Sequence, residues 1–189
     1  IFAKAPLPSG VPATVNSAAV IFDESSLSGL RGCSTDGESS VAMDTGPWRR
    51  PKSYLKGSPF AQISSEYRAV REGVGIIDVS TLGKIEIYGR DTQVLLEHAY
   101  TCAFDKLKQN MTRYIFMVDS SGTIVDDGVA ARLGDGHFYI TATSTHSQTV
   151  LRQLQLFADQ LKLKVAVIDR TFQLGAINIA GPCSRRVLE

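Results

Sequence analysis

The stretch RYIFMVDSSGTIVDDGVAARL, residues 113–133, decides how this chain is to be read. RYIFMVD (113–119) and TIVDDGVAARL (123–133) are rich in β-branched and aromatic residues, the composition of strands. Ser120, Ser121 and Gly122 join them in a hairpin-type connection. Inside the second strand stand Asp126 and Asp127, although Asp is disfavoured there and a buried carboxylate without a partner is costly. Strand alternation separates the two acids. Val125, Asp127, Val129 and Ala131 share one face; Ile124, Asp126, Gly128, Ala130 and Arg132 share the other. Asp126 has Arg132 and a side-chain-free glycine on its face, which predicts a paired or wetted carboxylate. Asp127 lies between two valines on the more uniformly apolar face. The spacing allows two readings of it. Either an arginine, backbone N–H groups or an exposed bulge at Gly128 accommodates the charge, or it is a carboxylate in a dry pocket, raised in pKa by desolvation and available to handle a proton.

On either side of the hairpin, helices and strands alternate. SPFAQISSEYRAVREGVG opens with Ser58 as N-cap and Pro59 at the first helical position, and Gly73 ends it. Phe60, Ile63, Tyr67 and Val70 form one apolar stripe between those ends. KIEIYG (84–89) is an alternating strand with Ile85 and Ile87 on one face, and Asp91 caps a short helix through VLLEHAY. HFYITAT (137–143) is a third strand after the hairpin. A helix from about Thr145 to Leu161 follows, with Val150, Leu154, Phe157, Ala158 and Leu161 on one face. KVAVID and FQLGAINIAG are closing strands. Tyr67, Phe157 and Phe172 are expected in the core. The pattern predicts an α+β fold: an antiparallel or mixed sheet with helices on one face, its central part fitting a split β-α-β arrangement of the ferredoxin kind.

Composition narrows the function classes. The chain has 189 residues, 43% hydrophobic and 21% charged, with a formal net charge of +1. That balance gives no electrostatic reason to expect nucleic acid or an anionic membrane. No apolar run approaches the roughly 20 residues of a membrane span, and no signal peptide is visible. Cys33, Cys102 and Cys183 are far apart and form no CxxC pair, so packed or free thiols in a reducing, cytoplasmic compartment are expected rather than disulfides or a metal site with His98, His137 or His146. Residues 1–45, rich in Ser, Gly, Pro and Ala, read as a poorly structured leader in which VNSAAVIF (15–22) supplies a short strand. GPWRRPKSYL (46–55) reads as a docked turn opening the domain proper, residues 46–189. A start on Ile and an end at SRRVLE, where a helix begins, suggest a piece of a longer protein. There is no G-x-G-x-x-G after a strand, no Walker loop, no H-E-x-x-H and no G-x-S-x-G. Arg185 and Arg186 in GPCSRR read either as solvated arginines or as an anion site, and Asp78 in GIIDVS as a turn cap.

Three blocks in order, EYRAVREGVGIIDVSTLGKIEIYGRD, RYIFMVDSSGTIVDDGVAARL and INIAGPCSRRVL, resemble the folate-binding aminomethyltransferase family of the glycine cleavage T-protein. The resemblance covers roughly residues 60–189, and the set is specific where each block alone is weak. DVSTLGKI and GPWRRP look most similar to the C-terminal part of sarcosine oxidase alpha subunits. The resemblance implies the first part of a T-protein-like folate-binding fold, truncated before the half that supplies further folate contacts. It implies tetrahydrofolate as cofactor, with Asp127 as the catalytic carboxylate beside the reactive edge of the folate. Leu82, Tyr114, Val129 and Ala131 would line the pterin pocket, Leu82 standing where T-proteins often carry Met. The implied activity is capture of the imine carbon of a sarcosine-type N-methyl amine as 5,10-methylenetetrahydrofolate. Flavin and NAD would belong only to other parts of such a complex, and other oxidase subunits would be partners. The alternatives are a free-standing aminomethyltransferase acting on a lipoyl-bound group, or a non-catalytic folate-binding regulator. The K-G-C-Y-x-G-Q-E signature of the iron–sulfur maintenance relatives is absent.

Overall fold

The computed structural model describes residues 20–22, 40–45, 48–54 and 58–189. Along the chain these form β1 (Val20–Phe22), β2 (Ser40–Thr45), β3 (Trp48–Tyr54), α1 (Pro59–Glu72), β4 (Val74–Asp78), β5 (Gly83–Tyr88) and α2 (Thr92–Ala99). They continue with β6 (Thr112–Val118), β7 (Ile124–Gly134), β8 (His137–Ala142), α3 (Ser147–Gln160), β9 (Ala166–Asp169), β10 (Ile177–Ala180) and α4 (Ser184–Leu188). The chain divides into two units: among the described residues, one holds 20–22, 40–44, 49–54, 58–78 and 177–189, the other 45, 48 and 79–176. The fold is α+β, as the alternation of helices with hairpins predicts. None of the described helices is long and apolar enough to cross a membrane.

The unit of residues 79–176 is built on a five-stranded sheet, β6-β7-β8-β5-β9, in which every neighbouring pair is antiparallel. The hairpin forms where turn chemistry places it. Asp119 Oδ1 accepts from the backbone N–H groups of Ser121 and Thr123 at 2.9 and 3.0 Å, and Gly122 takes φ +84°. The split β-α-β arrangement of the ferredoxin kind is present: β5 and β7, on either side of α2 in the chain, run parallel with β8 between them, β8 and β9 run parallel with β5 between them, and β6 adds an edge strand. The apolar side chains of one sheet face, among them Ile85, Ile87, Ile115, Met117, Phe138 and Ile140, bury against Leu95 and Leu96 of α2 and Val150 and Leu154 of α3. Burying each such side chain contributes roughly 1.5–3 kcal/mol, so this layer is what holds the unit together.

In the other unit, β4 pairs antiparallel with both β1 and β10. Ser58 caps α1 through Ala61 N–H, and Gly73 receives the chain at its end. The strand after it, β4, is missing from the sequence-based expectation because VGIID is short and uninterrupted rather than alternating. β1 falls at the end of the VNSAAVIF segment, and β2 pairs with β3 from Ser40 onward; most of residues 1–39 lies outside the described residues.

Three expectations are corrected. Tyr67 and Phe172 are not core residues: they are 60% and 79% exposed. Phe60 and Ile63 share the exposure of Tyr67. Helical periodicity identifies an apolar stripe but does not supply a layer to cover it, and α1 packs through its C-terminal turn, where Ala69 and Val70 are half-buried. Phe172 instead stacks on Trp48, ring centroids 5.1 Å apart. Asp91 occupies the N-cap position of α2 without a capping bond, because its Oδ2 accepts the backbone N–H of Lys164 at 2.8 Å.

β7 and β8 keep regular ladder register from Ala130↔Ile140 to Arg132↔Phe138. Beyond Ala130 the ladder gives way to side chains. Val129 N–H donates to Thr141 Oγ1 at 2.9 Å, and Thr143 N–H donates to Asp126 Oδ2 at 3.1 Å. At Gly128 the strands are so close that a Cβ would lie 1.9 Å from the Thr141 carbonyl oxygen. Gly128→Ala is therefore expected to force the strands apart at a cost of about 1–3 kcal/mol. Asp126→Ala, which orphans the Thr143 N–H, is expected to cost a similar 1–3 kcal/mol or so. Urea unfolding checks both, and wild-type stability in Gly128→Ala would contradict the close approach.

Candidate functional site

The hairpin register brings four of the five predicted site residues onto one face. Tyr114 pairs with Val129, Thr112 with Ala131 and Phe116 with Asp127. Tyr114, Asp127, Val129 and Ala131 thus project to the sheet side opposite α2 and α3. The Tyr114 hydroxyl donates directly to Asp127 Oδ2. That bond, followed by partial desolvation and the charge itself, raises the phenol above its ordinary value. Leu82 stands apart, half-buried in the turn before β5, two strand positions from β7 in the sheet.

The burial of the two acids is the reverse of what strand composition suggests. Asp126 points to the helix-covered face and is 5% exposed; Asp127 is half-buried on the open face. The apolar residues beside Asp127 misled the reading because this face of β6 and β7 carries exposed apolar groups, Tyr114, Phe116 and Val118 among them. Among the described residues, neither an arginine nor a backbone N–H group is the hydrogen-bond partner of Asp127. Its hydrogen-bond partner is a phenol. Asp126 is the structural member of the pair: besides Thr143 N–H it has His146 Nδ1 at 3.7 Å from Oδ1. Burial first, and the Asp126 charge second, push the Tyr100 phenol well above the usual range.

Phe116 is the residue that sequence reasoning overlooked. Its ring meets that of Tyr114 edge-to-face, centroids 5.1 Å apart, directly across from Asp127. The i, i+2 spacing of Tyr114 and Phe116 on a strand was the available signal. Together they make an aromatic platform with an anion at its edge, which suits a flat heterocycle carrying amine groups.

A second cluster occupies the same sheet face on β5, β8 and β9. Glu86 Oε1 lies 2.9 Å from His137 Nε2, and Glu86 Oε2 accepts from Arg170 Nε at 2.8 Å. Burial pushes the Glu86 carboxyl up, but bonds from Tyr88, Arg170 and His137 outweigh it and hold the group below the ordinary carboxylate range. Tyr88 and His137 stack at 4.2 Å and, with Gly89, Arg90, Asp135 and Gly136, line an open cleft of about 520 Å³. None of the five predicted site residues borders that cleft.

With this geometry in view, comparison with known proteins gives the class. The family described as GCVT N-terminal domain matches residues 34–189, and the chain belongs to that family. The sarcosine oxidase subunit alpha of Corynebacterium sp. (strain U-96) is 39% identical over 149 residues, which are 77% of this chain and 15% of that protein. An aminomethyltransferase of Desulfitobacterium hafniense (strain DSM 10664 / DCB-2) is 25% identical over 147 residues, 78% of this chain and 38% of the relative. Among solved structures, the glycine cleavage system aminomethyltransferase T from Bartonella henselae matches with a TM-score of 0.68 at 21% identity, covering 81% of this chain and 40% of that one. The T-protein-like fold expected from the sequence is therefore the fold observed. The chain spans well under half the length of each of these relatives.

The Tyr114–Asp127 bond has a spectroscopic signature. Because the folded phenol is raised, the bond stabilises the fold fully below the unfolded phenol value of about 10 and is lost as pH rises through the raised one. In Asp127→Asn the Tyr114 titration is expected to move down toward the ordinary value, read by tyrosine ring NMR. An unmoved titration would mean that the pair does not form in solution.

Proposed function

We propose that this chain is a tetrahydrofolate-dependent one-carbon transfer domain of a sarcosine-oxidase-like amine demethylase, with residues 46–189 as the first portion of the folate-binding domain. The observation that carries the reading is the pairing of Asp127 with Tyr114 on an open, aromatic face. The folate supplies two amines that accept the one-carbon unit as 5,10-methylenetetrahydrofolate. In this reading Tyr114 and Phe116 hold the pterin by its flat faces and edges, while Val129, Ala131 and Leu82 give apolar walls. Asp127, fixed on a strand, stabilises the positive charge of the iminium carbon and takes up the proton that the attacking folate amine releases, and closure by the second folate amine expels the demethylated amine. Tyr114 holds the carboxylate in orientation before substrate arrives. That lowers the reorganisation needed during reaction.

The amine oxidation itself belongs to flavin, and to NAD where present, in other parts of the assembly. The N-methyl amine substrate, the partner subunits and a cytoplasmic location come with the same reading. Identity to the sarcosine oxidase alpha subunit, 39% against 25% for the aminomethyltransferase, supports the oxidase setting over a free-standing aminomethyltransferase. A lipoyl-carrier assay separates these two settings. In the complete protein, Asp127→Asn is expected to reduce methylenetetrahydrofolate formation by roughly 10²–10⁴-fold while leaving amine oxidation largely intact. Unchanged folate product would remove Asp127 from the mechanism.

A further inference from the structure

Lys84 is the charged side chain that neither the sequence pattern nor the proposed chemistry uses, and it is completely buried. The alternation of KIEIYG places it on the polar side of β5, where a solvated lysine is the ordinary expectation. Its ammonium instead donates to three backbone carbonyls: Ser80 O at 2.7 Å, Leu82 O at 3.0 Å and Thr171 O at 3.0 Å. An ammonium has three donors, so these three acceptors match its capacity. Burial pushes the neighbouring Asp169 carboxyl up, but bonds from Thr171 and Gln148, with the Lys84 charge as the smallest contribution, hold it below the ordinary carboxylate range. Removing a charge from water is costly unless every donor is met. A neutral side chain would hold this position at far less cost if the only need were to fill space.

The turn that receives the ammonium is tied at nearly every residue. Val79 N–H donates to Ala176 O at 2.9 Å, and Ser80 Oγ accepts from Ala176 N–H at 2.9 Å. Thr81 Oγ1 accepts from Ser144 Oγ at 3.0 Å. At Gly83 a Cβ would come within 2.5 Å of Ser147 Cβ, so the chain there is pressed against the start of α3. Leu82 sits at the centre with both of its peptide groups engaged: its N–H on Val79 O at 3.0 Å, its carbonyl on Lys84 Nζ.

We propose that Lys84 is a positioning residue that fixes Leu82 as a wall of the tetrahydrofolate site. This rests on the folate reading given above. Lys84 touches no ligand; it acts through the Leu82 carbonyl, and through Thr171 it locks the turn to the segment after β9. Preorganised walls favour binding because the ordering is completed before the ligand arrives. The effect therefore falls on folate affinity rather than on the chemical step at Asp127.

The test is tetrahydrofolate binding and turnover in the complete protein, comparing wild type, Lys84→Met, Lys84→Arg, Leu82→Ala and the two double variants. Lys84→Met is expected to raise KM and Kd for tetrahydrofolate roughly tenfold with kcat little changed. Lys84→Arg keeps the charge but carries a planar fork in place of a tripod, and is expected to lose less. Both losses are expected to vanish in the Leu82→Ala background, because coupled residues are not additive. If Lys84→Met does not fold, Lys84→Arg carries the same comparison. Wild-type folate affinity in the folded Lys84 variants, or a loss that simply adds to that of Leu82→Ala, overturns the role of Lys84 and leaves the folate reading standing. A wild-type protein that does not bind tetrahydrofolate overturns both.

Discussion

The arrangement of this site depends on how β7 and β8 separate. They run in register up to Ala130 and Ile140, and the backbone ladder then stops. Gly128 lets β7 press against the Thr141 carbonyl, and two side chains, Thr141 and Asp126, take over the bonds that backbone groups would otherwise make. A sheet tolerates such a break only if its exposed donors are met. Asp126 meets one of them, which is why a carboxylate is found on the covered face at all. With Asp126 turned inward, the period of the strand sends Asp127 outward. The outward orientation of Asp127 is thus set by the inward one of Asp126.

The far side of the sheet is a polar layer with distinct regions. Near the β6 edge it is aromatic and partly open, with Tyr114 and Phe116 beside Asp127. Toward β5 and β9 it is charged, with Lys84 fully buried and Glu86 held between His137 and Arg170 beside an open cleft. Buried charges stabilise little on their own, since desolvation offsets most of the attraction. Their value is directional: each fixes a loop or strand end that would otherwise be free to shift.

Much of the fold was legible in the sequence because it follows from local chemistry. The Ser120–Gly122 connection, the Ser58 cap and the apolar faces of β5 and α3 are short-range signals, and they formed where expected. What remained hidden depends on partners distant in sequence. The burial of Lys84 depends on Thr171, 87 positions away. The inward turn of Asp126 depends on Thr143, and nothing in the strand's own composition reports it. β4 escaped notice because its pairing partners, β1 and β10, lie at opposite ends of the chain. The stripe on α1 shows the opposite failure, a clear period whose partner layer is not found among the described residues. For the site, Tyr114 and Asp127 came from the family resemblance, whereas the bond between them and the place of Phe116 came from register.

Carbodiimide footprinting of the complete protein, read by mass spectrometry with and without tetrahydrofolate, bears most directly on the orientation of the two β7 acids. Modification is expected at Asp127 alone, suppressed when tetrahydrofolate is added, with Asp126 silent under both conditions. Labelling of Asp126 in the native protein, or of Asp127 to the same extent whether or not the folate is present, would contradict the account.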